Sequence, residues 1–318
     1  MTSDPLRAHC ELPLRVRLFP LGFPVQIATN SEAVIAAARQ SWDCFSQAFN
    51  AAPVWLDLGI SPGENGSLPP TPPAFRSREH LLTIVSDPDN FIVCDYATGT
   101  AFGWLTPETI SDPAFARFYF LEAAVLSLID QLYLAPVHAA LIAKNGRGVL
   151  LCGDTFAGKS TLAYACARKG WTLICDDGAY LVRGRADRYA IGDPHNIRLR
   201  EQSKVFFPEL NSALSSQRPN GKMAIQVATK DLGISVADGA HVDHLVLLDR
   251  FANCPAALCP AAKQDLLYHF RTVNKYGSIM TRRDRDRELS TLLEAGIFRL
   301  HYQSLDCAVA RLDELIEN

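Results

Sequence analysis

Apolar and polar residues alternate in part between Leu12 and Thr29, with Leu14, Val16 and Leu18 on one side, which predicts strands. Asn30 or Ser31 then stands where a helix cap is expected. The apolar positions behind it, Val34, Ile35, Ala38, Trp42, Phe45 and Phe49, follow the helical period. Residues 61–73, rich in Pro, Gly and Ser, predict an exposed loop. Residues 81–85, 91–96 and 101–105 read as short strands, the last two joined by the turn Ala97-Thr98-Gly99-Thr100. A helix over 115–134 then leads into the second half of the chain.

That half opens with the apolar run Val149-Leu150-Leu151-Cys152 and a helical stretch from Ser160 to Lys169, stopped at Gly170. A buried strand follows at Trp171-Thr172-Leu173-Ile174-Cys175. Residues 180–183 and 189–191 suggest antiparallel strands around a polar turn, and 223–228 and 245–248 are further strands. Residues 266–276, 288–295 and 305–316 read as helices, and no internal repeat is visible. The expected fold is α/β: a mixed sheet with helices packed on it over residues 116–318, preceded by a smaller α+β domain over residues 1–115 that recognises substrate or partner.

A chain of 318 residues, 48% hydrophobic and 20% charged, is an ordinary globular protein with room for two cores. Its net charge of −3 argues against a nucleic-acid partner. The longest apolar candidate, 118–143, is broken by Glu122, Asp130 and Pro136, so it reads as an amphipathic helix plus a strand and not as a membrane span. The start, Met1-Thr2-Ser3-Asp4-Pro5, lacks the basic and apolar regions of a signal peptide. The nine cysteines have no paired spacing, and Cys152, Cys166 and Cys175 sit in apolar runs. Reduced, buried thiols in a cytoplasmic protein are the expectation.

The sharpest chemical feature is Gly153-Asp154-Thr155-Phe156-Ala157-Gly158-Lys159-Ser160-Thr161, a complete G-x-x-x-x-G-K-[ST] loop between a predicted strand and a predicted helix. In that frame the backbone N–H groups and the helix N-terminus wrap phosphates. Lys159 is placed to reach the outer phosphates and Ser160 to offer its hydroxyl to Mg²⁺. ATP and Mg²⁺ are therefore the expected cofactors.

The adjacent carboxylates Asp176-Asp177 end the strand that follows. Together with the loop, the intervening helix and glycine, and the upstream pair His138-Ala139, they resemble the HPr kinase/phosphorylase family, whose catalytic domain has the phosphoenolpyruvate-carboxykinase type of P-loop fold. The resemblance is firm over 138–182 and loose from there to the C-terminus. It departs at Phe156-Ala157, at Thr161 (usually Glu in the bacterial enzymes) and in a later E-x-R-G-x-G signature, to which Asn196-Ile197-Arg198-Leu199-Arg200 comes nearest. The chain thus looks more like divergent HPr-kinase-related proteins, some of which modify serine hydroxyls of peptides. The resemblance implies a mixed-sheet P-loop kinase domain of the HPr kinase C-terminal type, Asp176 as base, Asp177 as metal ligand, His138 beside the phosphates or the catalytic aspartate, and assembly into a homo-oligomer.

Each candidate has a plainer alternative. The doublet can serve Mg²⁺ and ATP hydrolysis with no acceptor, and His138 can be a core histidine. Arg198, Arg200 and Lys222 can bind an anionic substrate or decorate a solvated edge. His241-Val242-Asp243-His244 is weak as a zinc motif, as are the isolated Cys254 and Cys259. The run Arg282-Arg283-Asp284-Arg285-Asp286-Arg287 reads as a solvated face, or as the source of an arginine finger. The expected activity is ATP- and Mg²⁺-dependent phosphoryl transfer to a hydroxyl, such as serine of a peptide or protein or a small metabolite. The alternative is a nucleotide-binding sensor with little transfer.

Overall fold

The structure is a computed structural model that describes residues 11–61, 71–250, 255–271 and 279–317. Two compact units divide between Leu132 and Tyr133. The first carries strands β1 (Leu14–Leu18), β2 (Val25–Thr29), β3 (Val54–Ile60), β4 (Ala74–Arg78), β5 (Leu81–Asp87), β6 (Asn90–Asp95) and β7 (Thr100–Leu105). They form one sheet in the order β1-β2-β3-β7-β6-β5-β4. The pairs β2–β3 and β3–β7 are parallel and the others antiparallel. Helices α1 (Glu32–Trp42), α2 (Pro107–Ser111), α3 (Pro113–Ala116) and α4 (Glu122–Tyr133) accompany it. Alternation sets the faces: Val54, Leu56 and Leu58 of β3 are buried while Trp55, on the same strand, stays exposed.

Two expectations are corrected here. The helix that starts after Ser31, whose side chain makes no capping bond, ends at Trp42, so Phe45 and Phe49 lie beyond it. The N–H groups of Ala48 and Phe49 both donate to the carbonyl of Gly22, and the Phe49 ring stacks on Phe23 at 4.3 Å. Tertiary contacts thus capture residues that the periodicity had assigned to the helix. The unit boundary also moves from residue 115 to 132, because the helical stretch after β7 belongs to the first core. Phe120, Leu121, Val125 and Leu128 are fully buried, Glu122 accepts from Ser41 of α1 at 2.8 Å, and that stretch includes a π-helical turn, Arg117–Leu121. Most of the Pro-rich segment, residues 62–70, lies outside the described residues.

The second unit begins with β8 (Leu134–Val137), β9 (Ala139–Lys144), β10 (Arg147–Cys152), α5 (Lys159–Arg168), β11 (Thr172–Cys175), β12 (Ala179–Val182) and β13 (Tyr189–Ile191). It continues with β14 (Asn196–Leu199), β15 (Ser215–Gln217), β16 (Met223–Ala228), β17 (Gly239–Asp249), β18 (Ala257–Pro260), α6 (Lys263–Arg271), α7 (Ile279–Leu292), β19 (Gly296–His301) and α8 (Leu305–Glu317). The main sheet runs β11-β9-β10-β17-β13-β12-β8, with β19 also paired to β17 and β18 to β19. β17 lies parallel to β10 on one side; on the other its first residues pair antiparallel with β13 and the rest parallel with β19. A separate three-stranded sheet runs β14-β16-β15. This mixed α/β architecture is the one expected.

Strands buried on both faces read as continuous apolar runs, which explains Val149–Cys152 and Leu245–Leu248. Val149, Leu151, Val246 and Leu300 join Leu162, Cys166, Val309 and Leu312 of α5 and α8 in one core. Leu150, Leu245 and Leu247 join Leu266, Leu289 and Leu292 of α6 and α7 in the other. The free thiols of Cys152, Cys166 and Cys175 are buried there, and burial pushes Cys152 up to about 12. The basic-acidic run is only partly solvated, because Arg285 is buried on α7 and Asp284 pairs with Arg183 at 3.3 Å. Among the described residues no helix is long and apolar enough to cross a membrane.

Helix α8 is pinned to the sheet by a polar contact as well as by its apolar stripe. Asp313 accepts from the indole Nε1 of fully buried Trp171 at 2.9 Å and from Lys144 at 2.7 Å. Asp313→Ala leaves that indole N–H buried and unpaired, a loss of about 1–3 kcal/mol. Urea unfolding should show this loss, with Asp313→Asn, which keeps an acceptor, recovering most of it; equal midpoints for wild type and Asp313→Ala would refute the role.

Candidate functional site

β10 ends at Cys152, the chain bends through residues 153–158, and α5 starts at Lys159. The bend needs left-handed backbone at Gly158 (φ 98°) and also at Phe156 (φ 77°). A Cβ on Gly158 would meet the Tyr302 hydroxyl at 2.6 Å. That hydroxyl donates to the carbonyl of Ala157 at 3.2 Å, so buried Tyr302, one residue past β19, braces the loop. The N–H groups of the first turn of α5 have no partners within the helix and open on the same side.

Lys159 is buried and its three protons have three acceptors: the carbonyls of Gly153 (2.8 Å) and Asp154 (3.2 Å), and Nε2 of His138 (3.1 Å). An ammonium only donates, so Nε2 accepts and the imidazole proton sits on Nδ1, facing Asp177 Oδ1 at 3.3 Å. His138 therefore links the loop lysine to the doublet and is not a core histidine. Burial lowers the Lys159 pKa, opposed chiefly by the charge of Asp177 and, less, by Cys152, Asp154 and Asp176.

The doublet escapes strand alternation because β11 stops at Cys175. Asp176 is 4% exposed and accepts from the backbone N–H of Arg198 at 3.0 Å, while its carbonyl accepts from Ser160 Oγ at 3.2 Å. Burial pushes its carboxyl up to about 6, against the lowering effect of that N–H and of the Arg198 guanidinium. Asp177 is its opposite in environment, with a side chain 57% exposed. Both line one cleft of about 370 Å³, together with Thr155, Phe156, Gly158, Lys159, Ser160 and Thr161. Asp154 and Ala157 contribute loop carbonyls, and Thr161 Oγ1 lies 3.4 Å from Ser203 Oγ.

Arg198, Arg200 and Lys222 also line this cleft. The Nε of Arg198 is buried without a hydrogen-bond partner among the described residues, and the Arg200 guanidinium stacks 3.8 Å above the Phe156 ring. Sequence reasoning missed Arg218, Arg250, Phe206 and Met223, which line it as well. Two of them had a signal: Arg218 opens the turn that Lys222 closes, and Arg250 directly follows the longest apolar strand. A register irregularity separates His241 from His244 on β17, and the two side chains have different neighbours: His241 faces Asp187 and His244 packs edge-on against the Phe298 ring. Cys259 is exposed on β18, and Cys254 lies outside the described residues.

These elements define a mixed α/β unit in which a glycine-bounded loop, a helix N-terminus and an aspartate doublet open on a cationic cleft. Residues 119–218 match the family model described as SynChlorMet cassette protein ScmC. The matched stretch includes His138, the whole loop, the doublet, Arg198 and Arg200, and stops before Lys222 and Arg250. The family model matched is thus ScmC and not an HPr kinase model. Among solved structures, the HPr(Ser) kinase/phosphatase from Coxiella burnetii is similar at 14% identity with a TM-score of 0.32, covering 57% of this chain and 92% of that one. No curated protein matches.

A buried carboxyl whose folded pKa is raised to about 6 holds its proton more tightly in the folded than in the unfolded chain. Between about pH 4 and pH 6 the folded state binds more protons, so this group's effect on stability becomes unfavourable as pH rises through that window. The contribution at pH 8 is about −3 kcal/mol. Asp176→Asn should therefore unfold at higher denaturant than wild type at pH 8 and at nearly the same concentration near pH 4. A gap that does not change with pH would contradict the burial argument.

Proposed function

We propose that the cleft transfers the γ-phosphoryl group of ATP to a hydroxyl of an acceptor. The observation that supports this most is convergence: Lys159, Ser160, Asp176, Asp177 and His138, from three separate segments, line one cleft at the phosphate loop. Phosphoryl transfer needs positioning, spread charge and an oriented nucleophile more than covalent chemistry. The loop amides and Lys159 serve the phosphates, whose oxygens compete with the Gly153 and Asp154 carbonyls for the lysine protons.

Asp176 takes the proton of the acceptor hydroxyl. The freed oxygen attacks the γ-phosphorus while the bond to the bridging oxygen breaks, and ADP leaves with that electron pair. A base with a pKa near 6 is ionised at neutral pH yet basic enough to accept a proton in the transition state. Ser160 and Asp177 supply hard oxygens, the donor type Mg²⁺ takes when it is held by one or two protein groups and the phosphates. Bound there, Mg²⁺ would offset charge on the transferring group. His138 keeps Asp177 and Lys159 in register through its two ring nitrogens.

Lys159→Ala should weaken ATP binding strongly in calorimetry and abolish transfer; unchanged affinity would overturn the loop's role. Asp176→Asn should still bind ATP while transfer falls by about 10²–10⁴, and the wild-type rate should fall as pH drops through about 6. Asp177→Asn should raise the Mg²⁺ concentration required. If Asp176→Asn transfers at the wild-type rate, the base is wrongly assigned. ATP binding without any acceptor-dependent ADP formation would make nucleotide sensing the better reading.

A further inference from the structure

The cleft is charged against the sign of the chain. Lys159, Arg198, Arg200, Arg218, Lys222 and Arg250 line it, opposed by the carboxylates of Asp176 and Asp177, while the whole chain carries a net charge of −3. The imbalance exceeds what a phosphate donor needs. A fully ionised triphosphate carries about four negative charges, and one Mg²⁺ offsets about two of them. With such a donor in place, cations still outnumber anions among the described residues of the lining, and a cleft with low-dielectric walls focuses that surplus outward.

That surplus is not spread evenly. β14 and β16 pair up to Leu199 and Ile225, so Arg200 lies just past the end of the pairing. β15 and β16 pair up to Gln217 and Met223, and the turn beyond them begins at Arg218 and closes at Lys222. Arg200, Arg218 and Lys222 therefore crowd one end of the three-stranded sheet. Apolar residues adjoin them: Phe206 and Met223 line the cleft at 39% and 56% exposure, and Val205 beside Phe206 is 82% exposed. A small metabolite would fill the cleft without needing this rim. An extended chain would use both the cations and the apolar surface.

Resting on the phosphotransferase reading above, we infer that the acceptor hydroxyl belongs to an acidic peptide or protein segment. Carboxylates flanking the hydroxyl residue meet Arg200, Arg218 and Lys222, and an apolar neighbour lies on Phe206 and Met223. Guanidinium forks suit carboxylates, and stacking on Phe156 leaves the edge of the Arg200 fork available for them.

The test uses the full chain with Mg·ATP and three short peptides, each with one serine and two leucines, flanked by aspartates, by glutamines or by lysines. Glycerate serves as a small anionic hydroxyl compound. The acidic peptide should have a kcat/KM at least about tenfold above the neutral one, and raising salt from 50 to 300 mM should shrink that ratio. The double variant Arg200→Gln with Lys222→Gln should bring the ratio close to one. Arg311→Gln, which removes an exposed arginine paired with Glu314 on α8, should leave it intact. Fluorescence anisotropy of labelled peptides gives a readout independent of transfer. Selective, salt-sensitive binding of the acidic peptide without phosphorylation would keep the acidic partner and remove the kinase reading. Equal use of all three peptides, or better use of glycerate than of any peptide, would overturn the acidic-segment inference while leaving phosphoryl transfer intact. Neither binding nor transfer with any peptide would overturn it too.

Discussion

Three parallel strands at the centre of the second unit, β10, β17 and β19, constrain everything that matters chemically. β10 and the second half of β17 are apolar on both faces and have to lie between two helical layers, and the common direction of the three strands brings their carboxyl ends to one edge. β10 opens into the glycine-bounded loop, β17 delivers Arg250, and Tyr302 follows β19 to hold the carbonyl of Ala157. Ligand crevices in open α/β sheets form at such carboxyl ends. Here the same burial that stabilises the sheet also fixes where the loop can be.

The cleft gathers groups that are electrostatically costly to bury. Lys159 and Asp176 are both buried, and their pKa values are displaced toward the neutral forms. Arg198 adds a buried Nε without a partner among the described residues. A fold selected for stability alone would replace these groups with apolar ones. These groups lie in one place, beside a cationic wall in a chain of negative net charge.

Much of this was legible along the chain because it depends on local rules. The loop, its flanking strand and helix, and the stop at Gly170 follow from glycine conformation, strand burial and helix capping within a span of about twenty residues. Helix α8 and strands β5, β6 and β7 were equally legible from their periodicity. Strands β14, β15, β18 and β19 were not, since each is short and carries polar residues that make sense only beside its partner. The extent of α1 and the place of the unit boundary failed for the same reason. Phe49 and the segment around Phe120 are claimed by contacts with residues distant in sequence.

The site divides in the same way. Residue types and spacing along the chain determined that a glycine-bounded loop opens into a helix at Gly158-Lys159 and that two carboxylates follow at the end of a strand. Only the tertiary structure decided that the two aspartates have opposite environments, because the depth of Asp176 depends on β14 docking its Arg198 N–H onto the carboxylate. It also decided which cations gather, since Arg200, the turn from Arg218 to Lys222, and Arg250 come from three segments that local propensity does not connect. Backbone conformation is set by near neighbours and is therefore written locally. Charge density in a cleft is a sum over residues brought together by folding, and no stretch of the chain contains it.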